Sequence, residues 1–488
     1  MTLRPPDYSD AGNAAVFSRV YADELLYTDS MGWFWWNGSR WERSHHKATE
    51  LAMQLSERML HEAQAARKSA QIQKARMQAE AMETGRVPDM KAFRALETKL
   101  ESAGAYLIHA KRLRAARQLQ SMVELSKAYL HKKADCLDAN PMQLNTPAGI
   151  VDLATGALLP HDRRAYCSRI TAASPGSQGR EMWNDFLRTV TCGDDTLRGF
   201  LQLAAGMALV GKVYQEGILI AYGGGRNGKS TLFNALGQVL GDYAGSIDVR
   251  TLTTDQSNKG AALATLRGKR LVVTGELEEH QRLSSAILKQ LASTDKLNIE
   301  EKYKQPETVE QSHTLVLFTN HLPRVGSTDS GTWRRIQVIP FCAVIPPSVG
   351  IQNYAEALAR DAGGAILAWA IEGAVSFIRN GFKLDICDAV AEATDAYRQQ
   401  EDWLKNFIGE RCVRNTSSRI GARKLYLAYK RWAEELAEYV RRERDFSVAM
   451  EAAGFQKVKI NGKPTYNGLC LDTLYDFAAY ARVGYGGV

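Results

Sequence analysis

No Cys-x-x-Cys and no paired-histidine spacing occurs in this chain, and its seven cysteines, Cys136, Cys167, Cys192, Cys342, Cys387, Cys412 and Cys470, are scattered. That pattern excludes a zinc site and argues for reduced thiols in a reducing compartment. The N-terminal Met1-Thr2-Leu3-Arg4-Pro5-Pro6-Asp7 lacks the apolar core of a secretory signal, and no later stretch reaches membrane-spanning length without charges. A cytoplasmic chain with no membrane partner is expected. From Lys47 to Lys133 β-branched residues are nearly missing, replaced by Ala, Gln, Glu, Lys, Arg and Met. This composition predicts long helices, broken near Gly85-Arg86-Val87-Pro88. Their basic residues, among them Arg67, Lys68, Lys74, Arg76, Lys111, Arg112, Arg114 and Arg117, read first as a solvated helical face.

At 488 residues the chain is too long for one core, and three domains of ordinary size are the natural expectation. Hydrophobic content of 45% with 24% charged residues describes a soluble globular protein. A net charge of +8 is compatible with a polyanionic partner without establishing one.

What organises the chain is Gly217 to Leu232, Gly-Ile-Leu-Ile-Ala-Tyr-Gly-Gly-Gly-Arg-Asn-Gly-Lys-Ser-Thr-Leu. A strand-length apolar run leads into Gly223, four residues, then Gly228, Lys229 and Ser230, and an Ala/Leu-rich helical stretch follows. This is the pattern of a phosphate-binding loop. Backbone N–H groups must curl round a polyphosphate without obstruction by Cβ atoms, and the helix must aim its partly positive N-terminus at the anion. Gly223, Gly225, Asn227, Gly228, Lys229, Ser230 and Thr231 are the expected nucleotide contacts, with Lys229 on the β- and γ-phosphates of ATP and Ser230 on Mg2+.

Further along, Lys269 to Thr274 reads as a second buried strand ending in Gly275-Glu276-Leu277-Glu278-Glu279. An acid at the carboxyl end of a strand beside a phosphate loop is placed to hold the metal and polarise water; Glu276 is best placed, with Glu278 and Glu279 as alternates. Thr314 to Phe318 is a third strand, followed by Asn320, an amide suited either to sensing a phosphate or simply to making a turn. Arg334 and Arg335 precede a fourth strand, suited to a phosphate held by a neighbouring subunit or to a surface ion pair. In the flanking regions, Asn37-Gly38 between aromatic runs predicts a hairpin whose tryptophans serve mainly as core. Gly149 to Gly156 reads as a strand and turn, Ser174 to Gly179 as a linker, and Gln456 to Tyr466 as a basic hairpin behind helices, the mark of a winged helix.

Taken together, Gly223-Gly224-Gly225-Arg226-Asn227-Gly228-Lys229-Ser230-Thr231, Phe318-Thr319-Asn320-His321-Leu322-Pro323 and Gly331-Thr332-Trp333-Arg334-Arg335-Ile336 resemble the superfamily 3 helicases of viruses and plasmids. More closely, the chain is similar to the phage and plasmid primase-helicase family that includes satellite-phage and poxvirus-type members. Gly38 to Glu42 and Asn145 to Gly156 resemble that family's helicase-preceding domain. The resemblance implies an α/β fold: an AAA+-like ATPase core at 181–345, preceded by a mainly helical domain at 1–175, and followed by a helical connection at 346–400 and a winged-helix-like domain at 401–488. It further implies Glu276 as the catalytic acid and metal ligand, Asn320 as sensor, Arg335 as a finger acting on the next subunit with Arg334 as fallback, and Lys302, Tyr303 and Lys304 on a DNA-tracking hairpin. Gly275 stands where many such proteins carry a second acid. No acidic triad on strands precedes Gly149, so no primer synthesis is expected from this chain. The expectation is therefore an ATP-dependent, ring-forming DNA helicase, a hexamer acting on single-stranded or forked DNA beside a separate primase or initiator. An ATP-switched DNA-binding or loading platform is the alternative.

Overall fold

The computed structural model describes residues 2–85, 89–253, 263–275, 282–299, 307–325, 330–346, 351–436 and 439–472. The chain begins with helix α1 (Asp10–Val20), capped by Ser9, whose hydroxyl accepts from the Gly12 N–H. An antiparallel sheet follows in the order β1 (Leu25–Thr28), β2 (Gly32–Trp36), β3 (Trp41–Arg43). The hairpin at Asn37-Gly38 forms, with a four-residue loop between the paired Trp36 and Trp41. Its geometry is set by the Asn37 side chain, which accepts from the Ser39 N–H at 3.0 Å and the Arg40 N–H at 2.9 Å. Trp33, Phe34 and Trp41 are buried, so the aromatic run builds core.

The predicted helices are α2 (Lys47–Thr84), α3 (Met90–Leu113) and α4 (Ala116–Leu130). Helix α2 is about 57 Å long at 1.5 Å per residue, yet its buried side chains stop at Ala70. Beyond that point α2 and α3 hold each other, through Lys74 to Glu97 at 2.7 Å and Lys99 to Gln73 at 3.0 Å. A second antiparallel sheet, β4 (Gln143–Thr146), β5 (Gly149–Asp152) and β6 (Leu158–Leu159), closes this part of the chain.

The central part opens with two helices, α5 (Arg180–Val190) and α6 (Asp195–Met207). Cys192 and Gly193 take positive φ, and Asp194 caps α6 through the Thr196 and Leu197 N–H groups. Next come β7 (Ile218–Tyr222), α7 (Lys229–Leu240), β8 (Ala244–Ser246), β9 (Leu271–Thr274), α8 (Ser285–Leu291), β10 (Leu297–Ile299), β11 (Glu307–Val309), β12 (Thr314–Thr319) and β13 (Ile336–Pro340). Five of these strands form one parallel sheet in the order β13-β7-β12-β9-β8. Such a sheet is covered on both faces, which is why β7, β9 and β12 are rich in Ile, Leu and Val. Leu219, Ala221, Val273, Val316 and Ile339 enter one core, and Ile218, Ile220, Val272, Leu315, Leu317 and Val338 the other.

Helix α9 (Tyr354–Arg379) packs on α6 and α7 in the first of these cores, and α10 (Asp388–Gln400) packs on β13. By length and composition α9 contains a window apolar enough to cross a membrane, although Glu372 interrupts its apolar run; 61% of that window is buried inside the protein. Core burial on several sides accounts for its apolar character.

Leu144, Val151 and Leu153 of the second small sheet share the first core, so the N-terminal part and the central sheet are one packed body. Buried Arg270 secures the join, donating to the Leu209 carbonyl at 2.5 Å and the Gln143 carbonyl at 2.6 Å with its guanidinium 4.5 Å from the Tyr243 ring centroid. Arg40 pairs with Asp242 across the same boundary.

The last part reads α11 (Trp403–Arg411), β14 (Cys412–Gly421), α12 (Ala422–Glu435), α13 (Glu443–Ala452), β15 (Lys457–Ile460) and β16 (Lys463–Leu471), with strand order β14-β16-β15. Its core is aromatic, with Trp403, Phe407, Tyr429, Trp432 and Phe446 in mutual ring contact. Asn461 and Gly462 both take positive φ, the geometry of a tight hairpin between β15 and β16.

A buried histidine makes the fold acid-sensitive. His313, just before β12, is fully buried with its Nε2 unpartnered; burial pushes its pKa down from 6.5 to about 4, against a weaker opposing hydrogen bond to Leu291. Because the folded state binds this proton less readily than the unfolded chain, the contribution is complete above about pH 6.5, falls as pH drops, and is lost near pH 4. The loss is about 3 kcal/mol. His313→Gln is expected to flatten the acid limb of the thermal midpoint across that window, measured by calorimetry at half-unit pH steps.

Candidate functional site

The link leaving β7 through α7 runs toward the β8 edge, whereas the link leaving β12 runs past β7 to β13. The two strands are neighbours, so a crevice opens between their carboxyl ends, where open parallel sheets bind ligands. Both best sequence candidates arrive there, the glycine loop directly after β7 and Asn320 directly after β12.

The loop is tightly built below and open above. A Cβ on Gly223 would stand 2.2 Å from the Phe341 carbonyl oxygen, and one on Gly228 2.3 Å from Val190 Cγ1. Gly228 also has φ +83°, so at both positions only glycine fits. The buried Asn227 amide donates to the Phe341 carbonyl at 3.0 Å, tying the loop to the end of β13. Gly224, Gly225 and Arg226 are exposed. Lys229 starts α7 and is 4% exposed; its Nζ donates to the Gly223 carbonyl at 3.0 Å and to Asn320 Oδ1. Asn320 Oδ1 also accepts from the Gly225 N–H at 3.2 Å. The turn after β12 is made instead by Thr319, whose Oγ1 donates to the His321 carbonyl at 2.7 Å. The Asn320 side chain thus reaches across the crevice to the loop. Ser230 and Thr231 occupy the first turn of α7, whose leading N–H groups have no intrahelical acceptor.

The arginine pair lies at the other end of the sheet. Ile336 pairs with Ile218 at the start of β7, five residues before the glycine loop, a separation of roughly 17 Å along the strand. Arg335 is committed inside its own chain: with a side chain 11% exposed, it pairs with Glu216 at 2.5 Å and donates to the Gly331 carbonyl at 2.7 Å. Arg334 also reaches Glu216, at 3.2 Å, but its side chain is 67% exposed. Burial alone would raise the Glu216 carboxyl; the hydrogen bond from Arg335 and the charges of Arg335 and Arg334 outweigh it and hold the carboxyl below its ordinary value. Arg335 would have to break its ion pair with Glu216 to reach another molecule, whereas the Arg334 side chain is largely exposed. Glu216 was not foreseen, because an acid one residue before a glycine carries no sequence signal of its own.

Glu276, Glu278 and Glu279, and Lys302, Tyr303 and Lys304, lie outside the described residues. What flanks them is described. Gly275 directly follows β9, the neighbour of β12. β10 and β11, the strands on either side of residues 300–306 in the sequence, pair antiparallel with Leu297 opposite Val309 and Ile299 opposite Glu307.

The fold and crevice define an α/β chain with a parallel five-stranded sheet and a glycine loop at its switch point. Residues 14–192 match the family described as D5 N terminal like, and residues 221–335 match a family of unknown function. The chain is 26% identical over 321 residues to "Putative helicase L207/L206" of Acanthamoeba polyphaga mimivirus, covering 61% of this chain and 33% of that protein. It is 25% identical over 235 residues to "Putative primase C962R" of African swine fever virus, covering 44% and 24%. With "Putative helicase 022R" of Frog virus 3 it shares 26% identity over 306 residues, covering 58% and 31%. The chain spans about a third or less of the length of these relatives. Among solved structures, the NrS-1 C terminal region is similar over 60% of this chain and 76% of that one, at 16% identity and a TM-score of 0.38.

Proposed function

We propose that the chain is an ATP-hydrolysing DNA motor with an AAA+-like core, active as a ring, in the replication of a virus or mobile element. The observation that carries this reading is the meeting of Lys229 and Asn320 over a glycine loop at the sheet's switch point. A cradle that excludes Cβ atoms at Gly223 and Gly228, with Gly224 and Gly225 open above it, fits a polyphosphate. The viral relatives whose names carry helicase and primase support the same direction.

In this mechanism Gly223, Gly225, Asn227, Gly228, Lys229, Ser230 and Thr231 would hold ATP, and Ser230 and Glu276 would hold Mg2+. The bound metal supplies charge neutralisation at the transferring phosphoryl group. Glu276, just beyond the end of β9, orients water. Asn320 bridges Gly225 and Lys229 and so reports the state of the loop to β12. Arg334, exposed at the opposite end of the sheet from its own loop, serves the loop of the next subunit, and Arg335 positions it through their shared partner Glu216. Lys302, Tyr303 and Lys304 take the DNA backbone. The helix, strand and hairpin order of the last part supports a winged-helix reading, in which Lys457, Lys459 and Lys463 add phosphate contacts. A separate primase or initiator is a further partner in this reading, and the seven free thiols suit a cytoplasmic setting.

The test is a forked-duplex unwinding assay with ATP and Mg2+, run beside a mass measurement of the assembled protein. Unwinding by a ring is the expected result. Hydrolysis with assembly but no strand separation would select an ATP-switched platform instead, and hydrolysis by a monomer would remove the ring.

A further inference from the structure

We propose a second nucleic-acid contact, a cleft in the N-terminal part of the chain that seats one nucleotide unit of a single strand. The cleft, about 310 Å³, lies between the end of α4 and the turn at Arg163–Tyr166, with Trp41, Tyr129, Lys132, Arg163, Arg164 and Tyr166 on its walls. Its size is at the low end of the roughly 300–1,000 Å³ of ligand sites, suited to a single unit of a chain.

Its aromatic side is preorganised. Tyr166 stacks on Trp41 with ring centroids 6.1 Å apart and planes 17° from parallel. It does so from a left-handed backbone, φ 51° and ψ 32°, a strained conformation for a bulky residue that persists only where neighbours enforce it. The enforcing contacts are the Trp41 indole N–H donating to the Arg163 carbonyl at 2.8 Å, the Trp41 backbone N–H to the Cys167 carbonyl at 2.8 Å, and the Asp138 N–H to the Tyr166 carbonyl at 3.1 Å. Across the cleft Tyr129, on the last turn of α4, is 62% exposed.

Two dibasic pairs, Lys132-Lys133 and Arg163-Arg164, flank these rings. Arg163 is paired with Asp23 at 2.9 Å, whereas Lys132, Lys133 and Arg164 are exposed and have no ion-pair partner among the described residues. The carbonyl end of α4 disfavours an anion. A base therefore belongs against Tyr129, and the phosphate between Lys132 and Arg164. Aromatic faces beside unpaired cations match unstacked bases on a phosphate backbone, which a duplex does not offer. This contact stands independently of the ATPase reading, since it uses none of the crevice residues.

The experiment uses the full chain without ATP and a fluorescent thymidine oligonucleotide titrated over a range of salt. Tyr129→Ala is expected to weaken binding about ten-fold, and Tyr129→Phe, which keeps the ring, to retain it. Lys132→Ala with Arg164→Ala should lower the salt slope by about 0.7 for each phosphate that is no longer neutralised. An oligonucleotide carrying 4-thiothymidine should crosslink to the segments holding Tyr129 or Tyr166. Unchanged affinity and slope in these variants, or crosslinks confined to other segments, overturn the proposal. Thymidine monophosphate competing as tightly as the strand also overturns it, in favour of a free-nucleotide site. A chain that fails to hydrolyse ATP yet gives the expected crosslinks separates this result from the motor reading.

Discussion

Lys229→Ala is expected to lower ATP hydrolysis at least a hundred-fold, measured as phosphate release at saturating ATP and Mg2+. The ammonium is held where β7 and β12 diverge, by the Gly223 carbonyl and Asn320 Oδ1, so its position is set before any ligand arrives. A charge preorganised in this way costs no rearrangement as negative charge develops on the phosphoryl group. The loss should not come from unfolding. Removing the ammonium takes a donor from the Gly223 carbonyl and from Asn320 Oδ1, which keeps the Gly225 N–H; an acceptor left unpaired costs about 1–3 kcal/mol if kept dry. The exposed Gly224 and Gly225 admit water at that rim, however, so the thermal midpoint should move by only a few degrees. Lys229→Arg should not rescue activity, because a planar guanidinium cannot occupy the place of a compact ammonium inside a 4%-exposed pocket. Hydrolysis at the normal rate by Lys229→Ala would end the assignment of this crevice as the nucleotide site.

The elements that position the crevice were legible for a physical reason. β7, β9 and β12 are buried on both faces and so are written as nearly unbroken apolar runs, and β13 departs from that pattern in its interior only at Gln337, so periodicity finds them without help from the rest of the chain. β8, Ala-Gly-Ser, carries no such signal; only its pairing with β9 makes it a strand. β4 hides for a similar reason, because the buried Asn145 and Thr146 are polar residues whose side-chain donors bond to backbone carbonyls. The Asn145 amide, for example, donates to the Ser39 and Arg169 carbonyls at 3.0 Å. Within the site, spacing alone identified Lys229, since the loop's chemistry is local. Whether Asn320 turns the chain or crosses to the loop was not readable, because that choice is made by the Thr319 hydroxyl taking over the turn. The ranking of Arg334 and Arg335 was hidden more deeply. It depends on Glu216, which precedes β7 while the arginines precede β13, and only the parallel pairing of those strands brings them together.

That arrangement leads to a dissociation between two adjacent residues of the same type. Arg334→Ala is expected to reduce hydrolysis by about a thousand-fold or more, the usual consequence of losing a finger. Its thermal midpoint should scarcely change, because its ion pair is exposed and worth at most about 1 kcal/mol. Arg335→Ala should behave in the opposite way. It strips Glu216 of its principal partner and the Gly331 carbonyl of its donor, and should cost about 2 kcal/mol of stability. Hydrolysis by Arg335→Ala, measured well below its lowered midpoint, should fall less than in Arg334→Ala, since the finger itself remains. Calorimetry and phosphate release on the two variants decide the ranking. The location of Arg334 decides the rest. About 17 Å of strand separates it from the loop of its own chain, so subunits carrying Lys229→Ala and Arg334→Ala, each inactive alone, should complement when mixed. An intact site then forms wherever the loop of an Arg334→Ala subunit meets the finger of a Lys229→Ala subunit, which random assembly in a ring yields at about a quarter of the boundaries. A mixture that stays inactive while mass measurements show mixed rings would mean that Arg334 does not act across the boundary.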